Sequence, residues 1–211
     1  MKKGCFITVE GVEGVGKSTN ISVIEAQLAR EGIDYVSTRE PGGTPLSEKI
    51  RSILLDKNET NMRDMAELLL VFAARSQHVE ELIKPALNAG QWVICDRFTD
   101  ASFAYQGFGR GLDKEFISSL KRWVHGDLNP NMTILFDLDI AVGMARAGKR
   151  SDFDRIETET MSFFERVRHG YLTQAEAEPQ RYRIVDASQS ITGVEQQLDQ
   201  FLSPLLAASR D

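Results

Sequence analysis

Very little cysteine, no excess of positive charge and no long apolar run mark this 211-residue chain. Each shortage excludes something. Two cysteines, Cys5 and Cys95, without histidine neighbours make neither a metal centre nor a disulfide framework. Each lies in an apolar run that reads as a strand, where a free thiol behaves as a small buried hydrophobe. The 25 basic residues are outnumbered by 31 acidic ones, a net charge of −6, which argues against a nucleic acid polymer as partner because such polymers reward a basic face. No stretch approaches the roughly 18 apolar residues of a membrane helix, and the N-terminal apolar run is too short for a signal peptide. Internal repeats, low-complexity tracts and Pro/Gly-rich linkers are also lacking. With 42% hydrophobic and 27% charged residues the chain is neither disordered nor fibrous. One domain spanning 1–211 is expected, in a cytoplasmic protein with no membrane association.

Five short runs rich in β-branched and apolar residues read as strands, over 5–9, 35–38, 92–95, 133–138 and 182–185. Helical periodicity covers 19–31, 45–55, 61–88, 113–124, 141–147, 157–176 and 192–208. Gly32 and Gly90 read as helix stops, and Pro85 as a kink in the long third helix. Strands alternating with helices, the strands nearly continuously apolar, predict an α/β architecture. It is a five-stranded parallel sheet with helices on both faces. Right-handed crossovers then bring the loops that follow the strands together at the carboxyl edge of the sheet.

One such loop carries an anion-binding pattern. Gly11-x-x-x-x-Gly16-Lys17-Ser18 follows the first strand and opens the first helix, the context that defines a phosphate loop and the P-loop NTPase fold. Its glycines permit backbone angles that turn successive N–H groups inward, and the helix start adds its dipole. The segment Gly11, Val12, Glu13, Gly14, Val15, Gly16, Lys17, Ser18, Thr19 is therefore expected to bind ATP. Lys17 should reach the outer phosphates and the Ser18 hydroxyl should ligate Mg²⁺. No Asn-Lys-x-Asp base reader follows, which counts against a guanine-specific switch.

Four further segments narrow the reading: Thr38-Arg39-Glu40-Pro41-Gly42-Gly43-Thr44, Leu68-Leu69-Leu70-Val71-Phe72-Ala73-Ala74-Arg75, Asp96 through Gln106, and Arg146 through Arg155. In order and spacing, together with the loop, they resemble the thymidylate kinases, which transfer a phosphoryl group from ATP to dTMP. The resemblance implies a site for each substrate. Arg97 would clamp the acceptor monophosphate with paired guanidinium donors, and Asp96 would help hold hydrated Mg²⁺ near Ser18. Glu13 would accept a hydrogen bond from the acceptor's 3′-hydroxyl. Arg75 would bond the thymine edge, with Ser102 as a further base-edge contact. Tyr105 would form a wall disfavouring a 2′-hydroxyl, Gln106 would complete the pocket, and Arg39, Glu40 and Pro41 would line the monophosphate site. Many relatives carry the stacking Phe where this chain has Val71. Phe72, three residues before Arg75, reads either as the base-stacking aromatic or as a core aromatic at helical spacing.

The resemblance also implies a small lid at approximately 146–156, and Gly143, just before it, and Gly148, within it, read as hinges. No basic residue stands among the variable positions of the phosphate loop, so the catalytic cations fall to the lid, as in the bacterial type of the family. Arg150 is the first candidate and Arg146 the second, with the role of Lys149 open. Asp186 and Ala187, after the last strand, would pack against adenine. The resemblance further implies a homodimer. Two alternatives stand beside dTMP phosphorylation: a kinase for another deoxynucleotide or nucleoside, and a non-catalytic regulatory nucleotide-binding protein.

Overall fold

A computed structural model describes residues 4–148 and 154–210. Five parallel strands, β1 (Phe6–Glu10), β2 (Tyr35–Arg39), β3 (Trp92–Asp96), β4 (Met132–Asp137) and β5 (Tyr182–Asp186), form one sheet in the order β2-β3-β1-β4-β5. β1 lies at its centre, paired with β3 (Val9 opposite Asp96) and with β4 (Glu10 opposite Leu135). The helices are α1 (Lys17–Arg30), α2 (Pro45–Leu55), α3 (Asp64–His78), α4 (Lys84–Asn88), α5 (Thr99–Ser102), α6 (Lys114–Val124), α7 (Ile140–Ala147), α8 (Met161–Ala177) and α9 (Ile191–Arg210). No described helix is long and apolar enough to cross a membrane.

Alternate strand residues feed two cores, which explains why the strands read as continuously apolar. Ile7, Val9 and Ile94 pack with Ile24 and Leu28 of α1 and with Leu198 and Leu202 of α9. Phe6, Val93 and Cys95 pack instead with Val79, Ile83 and Leu87. A sheet covered on both faces has to be apolar at both parities.

The expected elements are present, with three informative differences. The long third helix is interrupted by a π-helical turn at Val79–Ile83, one turn before Pro85. A proline in an α-helix lacks its N–H and crowds the carbonyl four residues back, and the wider π turn relieves both. α8 starts at Met161 rather than 157, because Thr160 caps it by accepting from Phe163 N. The residues before it form a separate turn, in which Asp154 Oδ1 accepts from the backbone N–H groups of Ile156 and Glu157 at 2.8 and 2.9 Å. The third difference is the helical run of α5 and a π-helical continuation at Phe103–Gly109, where the sequence showed only a motif after a strand. Glycine and aromatic residues give that run weak helix propensity, and its packing on α8 overrides this.

Candidate active site

The strand carboxyl ends border a cleft of about 260 Å³. On one side stands the phosphate loop. Gly11, Gly14 and Gly16 have φ of +136°, +73° and +89°, conformations that L side chains rarely adopt. Gly14 has a second reason to lack a side chain, since a Cβ there would lie 1.9 Å from Gly143 O. A Cβ on Gly143 would in turn lie 2.7 Å from Glu13 O. Gly143, expected as a hinge, sits buried within α7 and lets that helix touch the loop backbone to backbone. The side chains of Val12 and Val15 are core residues and do not line the cleft. Lys17 Nζ donates to the carbonyls of Gly11 (3.1 Å) and Val12 (2.9 Å) and stands 3.7 Å from Glu13. Ser18 and Thr19 are exposed on the first turn of α1, and Ser18 lines the cleft.

Glu13, Arg97 and Tyr105 form one cluster. The Arg97 guanidinium donates to Glu13 Oε2 and lies 4.7 Å over the Tyr105 ring, while Tyr105 Oη donates to Glu13 Oε1 at 3.0 Å. Burial pushes the Glu13 carboxyl up, but the charges of Arg97 and Lys17 outweigh it and hold the group below its ordinary value. Among the described residues Arg97 is the only non-glycine with positive φ, +68°. A residue pays steric strain there unless its surroundings fix it. The fixing is visible: Arg97 N donates to Val9 O at 2.9 Å, and Phe98 N donates to Glu10 Oε1 at 2.8 Å. Tyr171 Oη donates to the other oxygen of Glu10 at 2.7 Å. The sequence reading missed Glu10, because nothing distinguishes a strand-terminal carboxylate from a solvated one until the fold buries it completely.

The far side of the cleft is built on a second buried ion pair. Arg75, 1% exposed, donates from Nε to Glu40 Oε2 (2.6 Å), from Nη1 to Ser102 Oγ (2.9 Å) and from Nη2 to Phe98 O (3.1 Å). Glu40 also accepts from His78 Nδ1 at 3.0 Å, and the Thr38 hydroxyl meets Nε2 at 2.7 Å. Burial raises the Glu40 carboxyl, yet Arg75 and His78 together keep it below its ordinary value. The Glu40–Pro41 peptide is cis. Glu40, Pro41, Ser102, Tyr105 and Gln106 all line the cleft, with Arg75 at its wall.

Two expected contacts are displaced. Phe72 does not face the cleft: it is packed with Leu68 and Ile117, with the Arg75 guanidinium 4.6 Å over its ring, and Val71 lines the cleft instead. Three residues of helix return to nearly, but not fully, the same face as four, and that offset turns the ring into the core. Arg39 is half exposed and bonded to both oxygens of Glu48 at 3.0 Å, away from the cleft lining. Arg51 takes that side, lining the cleft and donating to Pro41 O at 2.8 Å. Only the cleft-facing side of α2 singles it out from the chain's other arginines.

Asp96 lines the cleft beside Lys17 and Ser18, and its buried Oδ1 has no hydrogen-bond partner. An orphaned carboxylate oxygen in a cleft that a serine hydroxyl also lines suits a hard cation. Among the described residues no group of three or more His, Cys, Asp or Glu is placed to hold a metal ion. Arg146 donates to Ala187 O at 3.3 Å, placing it beside the exposed Asp186 loop at the end of β5. Lys149 and Arg150 lie outside the described residues.

The family model described as thymidylate kinase matches residues 9–198. A protein named thymidylate kinase from Pseudomonas syringae pv. tomato is 53% identical over 207 residues, 98% of this chain and 99% of that one. Another of that name, from Teredinibacter turnerae, is 53% identical over 203 residues, covering 96% and 99%. The crystal structure of thymidylate kinase from Ehrlichia chaffeensis superposes with a TM-score of 0.77 at 32% identity, covering 95% of this chain and 99% of that one.

Proposed function

This chain belongs to the thymidylate kinase family and phosphorylates dTMP with ATP as donor, and from that premise we propose how its residues divide the work. The observation that carries the assignment is the Glu13–Arg97–Tyr105 cluster, in which a phosphate-loop carboxylate is bonded to an arginine from the end of β3. Arg97 clamps the dTMP monophosphate, and Glu13, kept ionised, accepts from the sugar hydroxyl. The donor loop and the acceptor are thereby registered on each other before transfer. Arg75 and Ser102 read the base edge, Gln106 and Tyr105 wall the pocket, and Glu40 and Pro41 shape the turn beside the phosphate. Val71 lies beneath the base, where it is narrower than an aromatic.

The main chain of the phosphate loop, with Lys17, seats the triphosphate, and Arg146 with the Asp186–Ala187 turn borders the adenine side. Ser18 and Asp96 hold Mg²⁺, which neutralises charge on the transferring phosphate oxygens when bound. No side-chain base is required, because the acceptor is already an anionic phosphate. Arg150 supplies the guanidinium that stabilises the equatorial oxygens.

The exposed apolar side chains of Ile53 on α2, Leu69 on α3 and Phe116 on α6 support a homodimer. Sedimentation giving only monomer at micromolar concentration contradicts it. Turnover across dTMP, dUMP, dCMP, dGMP and thymidine tests the substrate, and the absence of a preference for dTMP overturns the assignment. Arg97→Ala should mainly raise KM for dTMP, whereas Arg150→Ala should lower kcat by about 10²–10³ at nearly unchanged KM.

A further inference from the structure

Behind the cleft, one buried carboxylate collects donors from two separate stretches of chain. Glu67 on α3 is 2% exposed. Its Oε1 accepts from Gln106 Nε2 at 2.9 Å and Arg110 Nε at 3.3 Å. Its Oε2 accepts from Arg110 Nη2 at 3.0 Å and Arg155 Nη2 at 2.6 Å. Four N–H groups thus occupy the roughly four acceptor directions a carboxylate offers.

Arg155 reaches in two directions at once. Besides Glu67 it donates from Nε to Leu54 O at 2.8 Å and from its backbone N–H to Leu55 O at 3.3 Å, at the end of α2. Its neighbours Asp154 and Ile156 form cleft wall together with Leu54 and Leu55, and Gln106 lines the same cleft. Arg110, also bonded to Glu159, has its guanidinium 4.7 Å over the Phe163 ring, which ties the turn to α8. Arg110 and Arg155 between them pair Glu67, Glu159 and, at 3.7 Å, Asp64, and the Glu67 carboxylate is fully bonded. That combination makes a buried polar network rigid rather than merely costly.

We propose that Glu67 and Arg155 are positioning residues for the acceptor: their ion pair locks the 154–159 turn to α2 and α3 and fixes Gln106 in the same geometry, so that the acceptor pocket and the turn bordering it order together. The proposal rests on the cleft being the dTMP site. It removes Arg155 from the phosphate-neutralising cations, since its guanidinium is committed to Glu67 and Leu54.

The test uses Arg155→Met, which keeps the apolar stem but loses the fork, and Glu67→Gln, which keeps the shape but loses the charge. Amide hydrogen exchange across 154–159 in the free protein should quicken by about tenfold or more in both variants, since local opening no longer breaks an ion pair. KM for dTMP should rise by about tenfold with KM for ATP within about twofold, the signature of lost acceptor positioning. Unchanged exchange across 154–159 overturns the proposal, as do KM values for both substrates rising together or a fall in kcat alone. If Glu67→Gln does not fold, Arg155→Met carries the test. If the wild-type protein does not turn over dTMP, the substrate assignment fails, while the exchange experiment still judges the lock.

Discussion

Neutralising Glu40 isolates the energetics of the acceptor side. Glu40→Gln changes almost no volume but leaves the Arg75 guanidinium, 1% exposed, with neutral oxygens alone, those of Ser102, Phe98 and the new amide. At a charge separation of about 4 Å and an effective dielectric of about 20, the lost attraction is on the order of 4 kcal/mol. That agrees with the roughly 3–5 kcal/mol typical of breaking a buried pair from one side. Arg75→Met should cost a similar amount by stranding Glu40, whose remaining partner is His78. The double variant buries no unpaired charge, so its cost should fall short of the sum by about 2–3 kcal/mol. Urea unfolding of the four proteins closes the cycle. KM for dTMP should rise in all three variants, including Glu40→Gln, in which Arg75 is present but no longer oriented. Additive stabilities, or a Glu40→Gln cost below about 1 kcal/mol, would refute the view that this pair orders the pocket wall.

Two further outcomes are expected. Burial first, and the Asp100 charge second, push the Glu10 carboxyl from an ordinary 4.5 up to about 8. The folded state therefore holds a proton that the unfolded state has released, and this group lowers stability as pH rises from about 4.5 to about 8, with no further effect above, by at most about 5 kcal/mol. Glu10→Gln should flatten that fall, gaining on the wild type between pH 5 and pH 9 in denaturant titrations. Parallel pH profiles would rule the account out. Gly143→Ala should raise KM for ATP more than KM for dTMP, because the added carbon meets the carbonyl of Glu13 at 2.7 Å. An effect confined to dTMP would contradict a role at the donor loop.

The sheet was legible because two-faced burial leaves a plain mark, apolar runs of strand length separated by helical periods. The phosphate loop was legible because only glycine accepts its backbone angles, so conformation is written directly into composition. Asp96 and Arg97 gained meaning from standing at a strand end. Other features depend on which way a side chain turns inside a helix, and residue type does not encode that. Phe72 against Val71 is decided by one helical step, and Arg51 against Arg39 by which arginine Glu48 captures. Glu10 and Glu67 were illegible for a different reason: a carboxylate looks solvated in sequence, and only donors scattered as far apart as Phe98 and Tyr171, or Gln106 and Arg155, make it a buried junction.

The touching backbones of Gly14 and Gly143 join parts of the chain that are far apart in sequence. Backbone against backbone has no rotamer with which to absorb a displacement, so the contact transmits movement stiffly where a side chain would yield. The helix on the receiving end, α7, carries Arg146 on its last turn. A push on the phosphate loop is thus delivered to an arginine more than a hundred residues downstream. Two glycines in contact would then set how far the donor-side cation travels when the loop takes up its load.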